Sequence, residues 1–281
     1  MRERHLHCLG PHGFHRVRYL EWGDPDNPQV VICVHGLTRN AHDFDTLASR
    51  LASRLRVLCV DVPGRGGSDR LSHPLDYAYP LYCQDLAMVI ARADVDAVDW
   101  VGTSMGGLIG MMLAAQGNTP IRRLLVNDVG PFIAAAALAR IADYVGRAPD
   151  FPNLAAAEAY LRQVHAPFGP LSDAQWAQLT DHSTVQGDDG RWRLSYDPAI
   201  AEPLRAAPAD DLDLWPVWDA IRCPTLVLRG SESDVLSAAT AAAMGQRGPR
   251  ATVLEFPGIG HAPALLDRDQ IEPVAAWLSG A

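Results

Sequence analysis

Residues 98–115 read VDWVGTSMGGLIGMMLAA. The run starts as a buried strand would and continues as a buried helix would. Gly102, Ser104, Gly106 and Gly107 interrupt the middle. Glycine is a poor helix former, so its crowding at a strand-to-helix junction needs a local reason. The pattern Gly102-Thr103-Ser104-Met105-Gly106 is G-x-S-x-G, and its context is a strand before and a helix after. A sharp turn there holds the serine in a strained conformation. Side chains two residues to either side would collide, so Gly102 and Gly106 are required small. The Ser104 hydroxyl is then presented at a helix N-terminus, where free amides and the helix dipole favour negative charge. Gly107 and Gly110 are read only as close-packing residues.

Strand-like and helix-like stretches alternate outward from this point. Strands are expected at 17–23, 29–36, 56–64, 97–104, 121–131, 223–230 and 250–258. Helices are expected at 41–54, 79–93 and about 268–278. The run QVVICVHG (29–36) is apolar throughout, as a parallel strand covered on both faces should be. Such alternation predicts an α/β fold with a mostly parallel sheet and helices on both faces. One connection is anomalous. The strand ending near Asn127 is followed by one starting near Pro224, although a parallel crossover needs only about a dozen residues. The excess has helical patterns at 132–146, 154–165 and 172–183, and holds Trp176, Trp192, Trp215 and Trp218. It is read as a helical cap over 131–214, inserted into a core of 1–130 and 215–281. Its apolar residues either line a pocket or cement cap to core.

The chain has 281 residues, enough for one large α/β domain with such an insertion. Its net charge of −9 argues against a broad nucleic-acid or anionic-membrane face. No run approaches 18 apolar residues, and MRERHLHCLG has no apolar stretch behind its charges, so neither a membrane span nor a secretory signal is expected. The five cysteines have no paired spacing, which favours buried thiols in a cytoplasmic protein. His5, His7, His12 and His15 lie in a stretch broken by glycine and proline. A solvated loop or edge hairpin is expected there, not a metal site.

In open α/β sheets ligands bind beyond the carboxyl ends of the strands. DVPGRGGSD (61–69) imitates a dinucleotide fingerprint, but Asp69 stands where the third glycine belongs, so it reads as a tight loop. Asp234 follows the strand TLVLRG, and His261 follows the strand TVLEFPG. A serine nucleophile needs a base and an orienting acid. The order Ser104, Asp234, His261 is that of a known hydrolase fold. Glu232 is a weaker acid candidate. Asp128, after the strand at 121–127, is the main competitor to Asp234.

Five ordered motifs, HGLT (35–38), DVPGRGGSD (61–69), GTSMGG (102–107), GSESD (230–234) and GHAP (260–263), together resemble the capped α/β-hydrolases over most of the chain. The resemblance implies an eight-stranded sheet and serine-esterase chemistry with no metal and no organic cofactor. It implies that the backbone N–H groups of Leu37 and Met105 form an oxyanion hole, with His35 and Gly36 shaping the loop. Ser104 speaks against dehalogenase or epoxide-hydrolase chemistry, which places aspartate at that position. Arg39 is a candidate pocket residue, with a surface arginine as the alternative. The expected substrate is a small to medium, largely apolar ester. The same triad could instead cleave C–C bonds, open enol-lactones or transfer acyl groups. The segment APALLD after His261 lacks the aromatic residue of many ring-fission hydrolases. A ligand-binding protein of the same fold is the non-catalytic alternative. Partners beyond a small molecule, and the oligomeric state, are left open.

Overall fold

The N-terminal segment forms an antiparallel hairpin, β1 (Arg2–Gly10) and β2 (Gly13–Trp22), turning at Pro11-His12. This computed structural model describes residues 1–207 and 210–280. The histidine-rich start is therefore the edge hairpin, and its histidines diverge. His15 turns inward to Asp85 (2.8 Å), while His12 bonds Asp76 and stacks on His73. The remaining sheet strands are β3 (Val30–Val34), β4 (Arg56–Val60), β5 (Val98–Thr103), β6 (Ile121–Asn127), β7 (Thr225–Gly230) and β8 (Thr252–Phe256). The order is β1-β2-β4-β3-β5-β6-β7-β8. β2 meets β4 antiparallel, and every later pairing is parallel.

Among the described residues ten α-helices follow in chain order: α1 (Asp45–Leu51), α2 (Tyr79–Ala93), α3 (Met105–Ala114), α4 (Ala135–Tyr144), α5 (Leu154–Val164), α6 (Asp173–Ser183), α7 (Glu202–Ala206), α8 (Trp215–Ala220), α9 (Ala238–Met244) and α10 (Arg268–Ser279). The strand period of two sorts the core. Val30, Ile32 and Val34 of β3 pack with α2 and α3, whereas Val31 and Cys33 pack with α1 and α10. Both faces are covered, which is why the strands read as continuous apolar runs. Among the described residues no helix is long and apolar enough to cross a membrane.

The long β6–β7 connection holds α4 to α8, but it is not all helical. Phe132–Ile133 pairs with Leu212–Asp213, joining the two ends of the insertion, so α4 starts three residues later than its apolar pattern suggests. Asp150–Phe151, Thr184–Gln186 and Trp192–Leu194 form a three-stranded antiparallel sheet. The turn signal was present: Asp189-Gly190 lies in the loop between the last two of these strands. The insertion grips loops at the carboxyl edge of the main sheet. Asn40 donates to the His182 carbonyl (2.8 Å), Gly260 N–H to the Pro167 carbonyl (2.7 Å), and the Tyr77 hydroxyl to Asp197 (2.6 Å).

Candidate active site

Ser104 stands between β5 and α3 with φ 51° and ψ −113°, outside the usual regions for a side-chain-bearing residue. The flanking glycines explain how that turn is tolerated. A Cβ on Gly102 would lie 2.2 Å from the Gly106 carbonyl oxygen, and one on Gly106 would lie 2.0 Å from the Val34 carbonyl oxygen. These are backbone obstacles that cannot step aside. Gly107 and Gly110 serve packing, as expected: Cβ atoms there would strike Val129 and the Trp100 indole. That indole donates to the Gly106 carbonyl (3.0 Å), tying β5 to the first turn of α3.

His261 Nε2 lies 2.9 Å from Ser104 Oγ. Its Nδ1 lies 2.8 Å from an oxygen of Asp128, not of Asp234. This corrects the sequence-based choice of acid. Asp128 directly follows β6 with φ 57° and is fully buried. Its carboxylate also accepts from Gly230 N–H (2.8 Å) and Ser233 Oγ (2.7 Å). These donors hold it aimed at the imidazole. Asp234 points outward, 48% exposed, and pairs with Arg140 of α4. Glu232 is exposed. The β7 loop thus contributes Ser233 and the Gly230 amide, which hold the acid in place.

The loop after β3 is fixed from two sides. His35 is buried, and burial pushes its imidazole down to about 3, so it is neutral. Val62 N–H donates to its Nε2 (3.0 Å), which leaves the proton on Nδ1, where it donates to the Gly36 carbonyl (2.7 Å). Arg65, only 1% exposed, is the residue sequence reasoning missed. Its guanidinium donates to the carbonyls of Leu37 (2.8 Å) and Pro63 (2.7 Å) and to the Tyr82 hydroxyl (2.9 Å), and reaches Met105 Sδ (3.6 Å). It therefore touches both residues whose amides were expected to bind an oxyanion. The signal lay in DVPGRGGSD, which was read only as a tight loop. Among the described residues neither the Leu37 nor the Met105 N–H has a protein acceptor. Arg39 is buried in the wall. It holds Asp43 with two nitrogens and donates to Ser183 of α6 (2.7 Å), so it joins core to insertion.

A cavity of about 520 Å³ opens over Ser104 and His261, bounded by Leu37 and Met105 below and by the insertion above. That size suits a small organic ligand. Its wall is mostly apolar, with Ile133, Leu138, Ile141 and Leu204 from the insertion. Trp176 and Trp192 of the insertion do not line it, nor do Trp215 and Trp218 just after it. Trp176 packs with Leu161 and Leu179, and Trp218 is buried in the main core, so these residues cement rather than recognise.

Among the described residues two clusters bring metal-binding residue types within 4.8 Å of one another: Cys8, His15 and Asp85, and His42, Asp45 and His182. In the first, His15 and Asp85 bond each other, and the Cys8 thiol is pushed up to about 12 by burial and Asp85, which disfavours a thiolate ligand. In the second, the imidazoles stack in parallel at 3.8 Å, so their lone pairs run side by side and do not converge.

This fold and site define a class, and residues 31–277 match the model of the alpha/beta hydrolase family. The chain belongs to that family. It is 45% identical to the 3-hydroxybutyrate-oligomer hydrolase of Cupriavidus necator, over 98% of this chain and 97% of that protein. It is 29% identical to the 2-(acetamidomethylene)succinate hydrolase of Mesorhizobium japonicum, over 83% of this chain and 81% of that one. Among solved structures, an alpha/beta hydrolase from Novosphingobium aromaticivorans superposes with a TM-score of 0.88 at 38% identity, covering 100% of this chain and 98% of the other.

Proposed function

We propose that this chain hydrolyses carboxylic esters through a Ser104 acyl-enzyme, and that its substrates are oligomers of 3-hydroxybutyrate. The observation that carries the reading is the relay. His261 stands 2.9 Å from Ser104 Oγ and 2.8 Å from Asp128 on the floor of the cavity. His261 takes the Ser104 proton as Oγ attacks the ester carbonyl. Asp128 keeps the Nδ1–H tautomer and stabilises the imidazolium. The Leu37 and Met105 amides bind the oxyanion, and each such donor is worth on the order of 10² to 10³ in rate. The protonated His261 then donates to the departing alkoxide, and a water deprotonated by His261 releases the acyl group. Residues 131–214 act as the cap over a core of 1–130 and 215–281, and their apolar side chains receive the methyl-bearing repeat. The substrate assignment draws on the 45% identity over nearly the whole chain.

The test is a panel of 3-hydroxybutyrate trimer, p-nitrophenyl butyrate, an enol-lactone and a ring-fission diketone, with Ser104→Ala as control. Trimer and butyrate ester should be turned over, and Ser104→Ala should lose at least ~10³-fold in kcat and all labelling by a fluorophosphonate. Turnover retained in Ser104→Ala sinks the nucleophile. Turnover of the diketone alone sinks the ester reading.

A further inference from the structure

Arg140 lines the cavity and pairs with the exposed Asp234, and the mechanism above uses neither. Arg140 and Tyr144 lie one turn apart on α4, and both line the cavity that holds Ser104. Burial raises the Tyr144 phenol above its usual range while the neighbouring Arg140 draws it down, so it stays a hydroxyl able to donate. Arg140 engages Asp234 through Nε and one terminal nitrogen, which leaves guanidinium donors to spare. The pair is 42% and 48% exposed. Exposed pairs are weak, so a second carboxylate can join or displace Asp234 at little cost. The other arginine on this wall, Arg39, is already held by Asp43 and Ser183.

We propose that Arg140 and Tyr144 form a carboxylate-binding subsite that takes the free-acid terminus of an oligoester while Ser104 attacks an ester carbonyl further along the chain. This rests on the oligoester reading above. Arginine suits the task because its planar fork matches a carboxylate. The anchored end is the leaving group. The acyl C–O bond breaks, its alkoxide takes the proton from His261, and the acid-bearing alcohol departs. Asp234 becomes a competitor for Arg140 that the substrate must outbid.

The experiment compares kcat/KM for the 3-hydroxybutyrate trimer as free acid and as methyl ester. The acid-to-methyl-ester ratio should exceed one in the native protein. Arg140→Gln should lower it at least tenfold, through KM. Asp234→Asn should raise it about threefold or more, which keeps the idea testable should Arg140→Gln fail to fold. A ratio that neither variant moves, or acid and methyl ester changing in step, overturns the subsite and leaves the ester reading intact. A native protein that cleaves p-nitrophenyl butyrate but neither trimer overturns the oligoester reading and the subsite with it.

Discussion

Asp128 and Asp234 follow neighbouring strands, and chain order alone favours the wrong one. The difference is conformational. Asp128 adopts φ 57° directly after β6, which turns its carboxylate over the sheet edge towards His261. A left-handed aspartate leaves no composition signal, so the sequence cannot show this step. Asp234 lies four residues past β7, where the loop has already turned to solvent. That Ser104 and His261 meet was legible, because G-x-S-x-G imposes a steric requirement that Gly102 and Gly106 satisfy and His261 follows the last strand. Asp128→Asn should lower kcat for p-nitrophenyl butyrate by about 10⁴-fold, the scale for losing the carboxylate that orients a catalytic histidine. Asp234→Asn should cost less than tenfold. The reverse ranking in steady-state kinetics would return the acid role to Asp234.

At the scale of elements, the strands and flanking helices were readable because burial on both faces leaves long apolar runs, as in β3 and β4. The short strands of the insertion were not, since pairs such as Phe132–Ile133 with Leu212–Asp213 depend on distant partners. The loop after β4 was readable as a tight turn but not as a support. Its Arg65 ties together the loops after β3 and β4 and the start of α3. That makes it a positioning residue for the expected oxyanion amides. Arg65→Met leaves buried carbonyls unpaired and should cost about 3 kcal/mol or more of stability. It should also lower kcat by about 10- to 100-fold with a smaller change in KM, because small misplacements near reacting atoms are costly. Arg65→Lys keeps the charge without the fork and should not restore kcat. Thermal melts alongside kinetics separate the two effects. Lost stability with full kcat would make Arg65 a packing residue only.

Over the whole molecule, the alternation of elements made the fold legible, and the overlong β6–β7 connection pointed to extra elements between those strands. An apolar pocket was one of two readings of the insertion, but its shape could not be foreseen, since it depends on where the insertion sits. The ties that seat it run from Arg39 and Asn40 to α6 and from Gly260 to Pro167. Two histidines in this framework set most of its acid limit, with a smaller share from His182, which burial and His42 also lower. His35 is held neutral with its pKa near 3, and burial keeps the His165 imidazole well below its usual range. Both are lowered relative to the unfolded chain. Their stabilising contribution is therefore present above the unfolded value of about 6.5 and is lost as pH falls below it. His15 is shifted the other way by Asp85, so its contribution is fully present in acid and fades only as pH rises. It adds nothing to the loss below pH 6. Unfolding near pH 5.5 should then take up about two protons, and stability should fall by ~2–3 kcal/mol per pH unit between pH 6 and 5. Urea melts across that interval measure the slope. A flat profile would mean that His35 and His165 are both protonated in the fold, which for His35 conflicts with its acceptor bond from Val62 N–H.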